Sequence, residues 1–138
     1  MRAKAVLAGV ATGATTALLA LGAVPAAAAP MVRTPSELVL SVAGAGAQSP
    51  FDVDRAVTLS CTSAAAGDHP DADAACGSLA GVRGDFTALA PARTLCSYLY
   101  QPVTATEQGV WNGEQVFYQQ TFTNRCFLLR ATGAVFNF

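Results

Sequence analysis

The chain first shows a short run of strand-forming aliphatic residues at 38–42, Leu38-Val39-Leu40-Ser41-Val42, which predicts a strand. The Gly-, Ala- and Ser-rich stretch from Ala43 to Pro50 ends it. A second strand is predicted over 56–61, where Ala56-Val57-Thr58-Leu59-Ser60-Cys61 alternates with a period of two. From Thr62 to Asp73 the residues are small and polar, broken by Gly67 and Pro70, and read as a loop. Asp71 and Asp73 stand just ahead of 74–82, so acids favour the positive end of a helix there, and Gly84 ends it. A second helical turn is predicted over 85–89, capped by Asp85 and stopped by Pro91. Asn112-Gly113 lies inside the mixed aromatic and polar stretch from Pro102 to Phe122 and marks a β-hairpin. Ala134-Val135-Phe136-Asn137-Phe138 reads as a last strand, with Phe136 and Phe138 on one face. These elements sum to an α+β domain, an antiparallel sheet with helices across one face.

The amino end follows a different rule. Met1-Arg2-Ala3-Lys4 is positive, 5–24 carries no charge, and Pro25-Ala26-Ala27-Ala28-Ala29-Pro30 supplies small residues. That pattern predicts a secretory signal over 1–28, cut after Ala28 or slightly earlier, in preference to a membrane anchor. The remainder, 29–138, is then one domain, ordered from about Ser36. It keeps six arginines, no lysine and all nine acidic residues, a net charge of about −3. Such a balance argues against nucleic acid and against anionic membrane as partners.

Four cysteines remain: Cys61, Cys76, Cys96 and Cys126. Secretion makes disulfides their expected state. Three pairings are open, and the residues alone favour the sequential one only slightly. Zinc is disfavoured, because no Cys-x-x-Cys pair exists and His69 is the one histidine. No cofactor is expected: phosphate-binding and dinucleotide loops are missing from the sequence.

Hydrolase chemistry finds little support. His69 sits between Asp68 and Pro70, in what reads as a surface turn, and Gly77-Ser78-Leu79-Ala80-Gly81 places its serine one position early for a nucleophile elbow. The carboxylate pairs Asp52/Asp54 and Asp71/Asp73 read as solvated turn residues rather than as a calcium site. Gln101, Gln108, Gln115, Gln119 and Gln120 leave open a role as a transglutaminase substrate, and a secreted binding module is a further alternative.

What remains is Thr94-Leu95-Cys96-Ser97-Tyr98-Leu99-Tyr100-Gln101-Pro102. It crowds large apolar residues around a cysteine without alternating. Composition alone favours a core strand; the other reading is an exposed loop that offers its apolar residues to a partner.

Dispersed features in one order decide between these. They are Leu38-Val39-Leu40, Ala56-Val57-Thr58-Leu59 before Cys61, His69-Pro70, Gly84-Asp85 with Ala88-Leu89, Cys96 with Tyr100 and Pro102, Gly109-Val110-Trp111 with Gly113, Asn124 with Cys126, and Val135-Phe136 with Phe138. From about Ser36 to Phe138 the chain resembles the Streptomyces-type subtilisin inhibitor family. The resemblance implies a secreted, non-enzymatic inhibitor of subtilisin-like serine proteases, and the large aromatic Tyr98 suits chymotrypsin-like pockets as well. It implies a five-stranded antiparallel sheet with two short helices on one face, and disulfides Cys61–Cys76 and Cys96–Cys126. It places the reactive bond at Tyr98–Leu99, with Leu95, Cys96, Ser97, Tyr100, Gln101 and Pro102 as the protease-contacting loop. Asn124 would support that loop, and a homodimer would form through the sheets with Val39 in the contact. The chain departs from the family pattern at Tyr98, where Met or Lys is frequent, at Ser97, where Pro is, and in a slightly short 76–96 interval.

Overall fold

A computed structural model describes residues 33–44 and 53–138. The signal expected over 1–28 and the Asp52 carboxylate lie outside the described residues. Strand β1 (Glu37–Ala43) is central: β2 (Arg55–Ser60) pairs with one side of it and β3 (Val103–Trp111) with the other, and β4 (Glu114–Phe122) closes the order β2-β1-β3-β4, antiparallel throughout. Asn112 and Gly113 both take positive φ, 49° and 83°, the backbone a two-residue hairpin turn requires.

Alternation sets the faces. Leu38, Leu40, Val42, Val57, Leu59, Ala105, Trp111, Tyr118 and Phe122 point into the core, each large aliphatic side chain worth about 1.5–3 kcal/mol of burial. On the outer face the row Thr58–Val39–Gln108–Phe117 runs across all four strands, with Val39 and Phe117 left exposed. Helix α1 (Ala72–Gly81) starts at Asp71, whose carboxylate accepts the Ala74 N–H, and Cys61–Cys76 ties it to the end of β2. Asp73 lies in the first turn of the same helix. The helical turn predicted over 85–89 is a 3-10 turn at Phe86–Ala88, capped by Asp85 as expected.

Two differences from the sequence reading share one cause. Only two residues separate β4 from helix α2 (Arg125–Thr132), so the chain folds back over the sheet instead of travelling to its edge. The predicted fifth strand is therefore a 3-10 turn, Gly133–Phe136, and the sheet has four strands among the described residues. Val135, Phe136 and Phe138 are all buried there as a plug under the sheet, where a strand would have buried only alternate residues.

His69 is also not a surface residue. It is 5 % exposed; its Nδ1 accepts the Asp71 N–H at 3.0 Å, so its Nε2 carries the proton and donates to the Val135 carbonyl at 3.0 Å. Its polar atoms staple the α1 entry to the carboxy-terminal plug, and no carboxylate is set on the ring.

Candidate functional site

Residues 89–102 run from the 3-10 turn to β3 without regular structure. Within them Leu95 is 97 %, Tyr98 84 %, Leu99 62 % and Tyr100 76 % exposed. Four large apolar side chains exposed in one segment rule out the core-strand reading and make the segment a candidate interaction surface. Ser97 and Gln101 are exposed beside them, and Cys96 and Pro102 are half-buried at the base.

This loop is exposed but fastened. The Ala92 N–H donates to the Arg130 carbonyl at 2.8 Å, and the Gln101 N–H to the Thr123 carbonyl at 3.0 Å. Cys96–Cys126 bonds the middle of the loop to α2. By constraining the unfolded chain, a bridge closing a loop of this length stabilises the fold by roughly 3–4 kcal/mol. Pro102 fixes its own φ where the loop enters β3.

Asn124 does the closest work. It is 7 % exposed and serves as the N-cap of α2, its Oδ1 accepting the Phe127 N–H at 3.2 Å. That contact orients the amide, so its Nδ2 donates to the Ser97 carbonyl at 2.9 Å and to the Leu99 carbonyl at 2.8 Å. One side chain therefore clamps the backbone on both sides of Tyr98. Asn124→Asp would keep the cap but replace both donors with an acceptor facing two carbonyls. Two hydrogen bonds at about 1 kcal/mol each correspond to roughly thirtyfold weaker binding by the loop. If the loop acts as the family resemblance implies, subtilisin inhibition assays beside thermal melts would check this; an unchanged inhibition constant would remove Asn124 from the loop's support.

The sequence reading missed two neighbours of this loop. The Phe127 ring centroid is 5.4 Å from that of Tyr98, and the Arg130 guanidinium lies 6.0 Å over the Phe127 ring. No local pattern signals a contact between residues 29 positions apart. No cluster of metal-ligating side chains occurs among the described residues.

Residues 34–124 match the family described as subtilisin inhibitor-like, a span that includes the exposed loop and its Asn124 clamp. The chain belongs to this family. Subtilisin inhibitor-like protein 4 of Streptomyces lavendulae is 45 % identical over 115 residues, 83 % of this chain and 99 % of that protein. The subtilase-type protease inhibitor of Streptomyces fradiae is 42 % identical over 139 residues, 99 % of this chain and 98 % of its own. Among solved structures, Streptomyces caespitosus sermetstatin in complex with Bacillus licheniformis subtilisin superposes with a TM-score of 0.63 at 36 % identity, covering 75 % of this chain and 99 % of sermetstatin. The α+β fold with two helices and two disulfides is thus that of a subtilisin inhibitor, and the pairing Cys61–Cys76 and Cys96–Cys126 is the one the resemblance implied.

Proposed function

We propose that this protein is a standard-mechanism inhibitor of subtilisin-like serine proteases, and of chymotrypsin-like ones, with Tyr98–Leu99 as its reactive bond. The observation that carries the reading is an apolar loop exposed in the free protein yet held by Asn124 on both sides of Tyr98. Such a loop docks with little loss of entropy, because its backbone is already held.

Tyr98 enters the protease's primary pocket, its carbonyl carbon beside the catalytic serine and its oxygen toward the oxyanion hole. A tyrosine buries about 150–250 Å². At about 25 cal/mol/Å² that is at most roughly 4–6 kcal/mol, part of it offset by the costs of association. Leu95, three residues upstream and almost wholly exposed, fills a further apolar subsite. If the bond is cut, both new ends stay fastened: Cys96 is bonded to Cys126 on one side, while the Gln101–Thr123 hydrogen bond and β3 hold the other. The new amine remains against the acyl carbon and religates.

Two disulfides and the signal-like pattern over 1–28 support secretion, with 29–138 as the mature inhibitor domain. No described helix is long and apolar enough to cross a membrane. A homodimer through the outer sheet face would cover Val39 together with Phe117. The reading as a transglutaminase substrate has less support, because it leaves the clamped loop without a purpose, and a different binding module is disfavoured by the similarity to protease inhibitors.

The test is titration of subtilisin with the oxidised, purified mature protein, followed by cleavage of a chromogenic substrate. Stoichiometric loss of activity is expected. Rapid digestion of the protein without inhibition would overturn the reading.

A further inference from the structure

The Tyr98 ring, although 84 % exposed, leans on one residue of its own molecule. Its centroid lies 5.4 Å from that of Phe127, the planes inclined at 47°. Phe127 is a held surface rather than a loose one. It is half-buried against the core, its N–H is bonded to Asn124 Oδ1, and its neighbour Cys126 is in the disulfide. Arg130, one turn on, lies over its ring at 6.0 Å, and the Arg130 carbonyl accepts the Ala92 N–H at the start of the same loop. The helix that clamps the loop backbone therefore also offers the Tyr98 side chain a resting place.

A primary pocket encloses an entering ring on its faces. A ring so enclosed cannot keep an aromatic neighbour 5.4 Å away on its own chain, so the contact with Phe127 must be given up on docking. We propose that Phe127 is a positioning residue that parks the Tyr98 ring in the free inhibitor and thereby weakens binding selectively when residue 98 is aromatic. This rests on Tyr98 being the residue that enters the pocket. A ring pair is worth enough beyond its buried area to set an effect of about two- to tenfold on the inhibition constant. A side chain without a ring at position 98 loses nothing on leaving Phe127, so the effect discriminates among occupants of that position.

The test is a double-mutant cycle on the full mature protein. Phe127→Leu removes the ring while keeping an apolar side chain against the core, and thermal melts check that the fold is retained. It is made with Tyr98 intact and in the Tyr98→Ala background, and subtilisin inhibition constants are measured for all four proteins. Ring-proton NMR shifts of Tyr98 report the contact without any protease. The expected result is two- to tenfold tighter inhibition with Tyr98 intact, no gain in the Tyr98→Ala background, and a shift of the Tyr98 ring signals. Equal effects in both backgrounds, or weaker inhibition with Tyr98 intact, would overturn the proposal while leaving the reactive bond standing. If the ring signals move but the unaltered protein does not inhibit subtilisin, the reactive-bond reading has failed and this proposal falls with it.

Discussion

Tyr98→Lys is expected to turn this protein into a trypsin inhibitor. Trypsin's primary pocket ends in a buried carboxylate. A tyrosine there leaves that charge desolvated and unpaired, an arrangement worth roughly 3–5 kcal/mol against binding. Lysine supplies the missing cation at the end of an apolar stem. Sites built around a buried polar group discriminate by about 10⁴-fold against ligands that leave it unpaired. A gain of at least about a thousandfold against trypsin is therefore expected. The rest of the loop is unaltered: Asn124 grips the Ser97 and Leu99 carbonyls, not the side chain between them, and Cys96–Cys126 is untouched. Subtilisin should lose about tenfold, since the lysine stem still fills an apolar pocket while its ammonium must reach water. Parallel titrations of both proteases check this. A folded variant with no gain on trypsin would mean that the reactive bond lies elsewhere.

The second large effect is on stability, and its source is Glu107. This residue lies on the core face of β3, directly across from Leu40 of β1 and Tyr118 of β4. It is completely buried, and neither carboxylate oxygen has a hydrogen-bond partner. The Tyr118 hydroxyl is no help, because it donates to Gln120 Oε1 at 2.9 Å. Arg83 and Asp85 line the same surface depression, but neither bonds to the carboxylate. Desolvation alone pushes the Glu107 carboxyl from 4.5 up to about 7.

The sign follows from which state holds the proton. Below about pH 4.5 both the folded and the unfolded chain carry it, and Glu107 has no effect on the pH dependence. Between 4.5 and 7 the unfolded chain has released the proton while the folded one retains it, so stability falls as pH rises. The full loss, reached above pH 7, is about 3 kcal/mol. For a domain of this size it corresponds to a fall of roughly 10–20 °C in melting temperature.

Glu107→Gln is neutral at every pH and should flatten the profile across that window. Glu107→Leu should in addition raise the melting temperature at pH 8. Melts from pH 4.5 to 8 check both, and a wild-type profile as flat as that of Glu107→Gln would refute the argument. A separate acid limb is expected at lower pH. There the Asp85 carboxylate is held below its ordinary value of 3.8 by the hydroxyl and then the N–H of Thr87. Its contribution is present above pH 3.8 and disappears as pH falls through its lowered folded value.

Much of the fold was legible because its signals are local. A run of strand-forming aliphatic residues located β1, period-two alternation located β2, Asn112-Gly113 located the hairpin, and the acids before residue 74 located α1. Helix α2 went unread although its signals were present: Asn124 is a good N-cap and Gly133 stands at the C-cap. The aliphatic and aromatic side chains between them do not make a clean helical stripe, because Phe127 is turned toward the loop instead of being fully buried. The last five residues misled for a related reason. Phe136 and Phe138 fit a strand face, but the chain reaches them from a helix already lying over the core.

The candidate site divides in the same way. By itself, the sequence determined the family, the four cysteines, the apolar crowding at 94–102, and the tyrosine at position 98. These are matters of residue type and spacing, which a linear pattern carries. Only the tertiary structure decided how far each side chain of the crowded segment reaches into water, that His69 lies inside, and that Glu107 is buried without a partner. Only it joined Asn124 to Ser97 and Leu99, and Phe127 to Tyr98. Each of those facts is a contact, or a lack of one, between residues far apart in the chain. Burial and hydrogen bonding depend on which surfaces meet, and that is settled only when helix α2 folds back across the sheet and brings the loop with it.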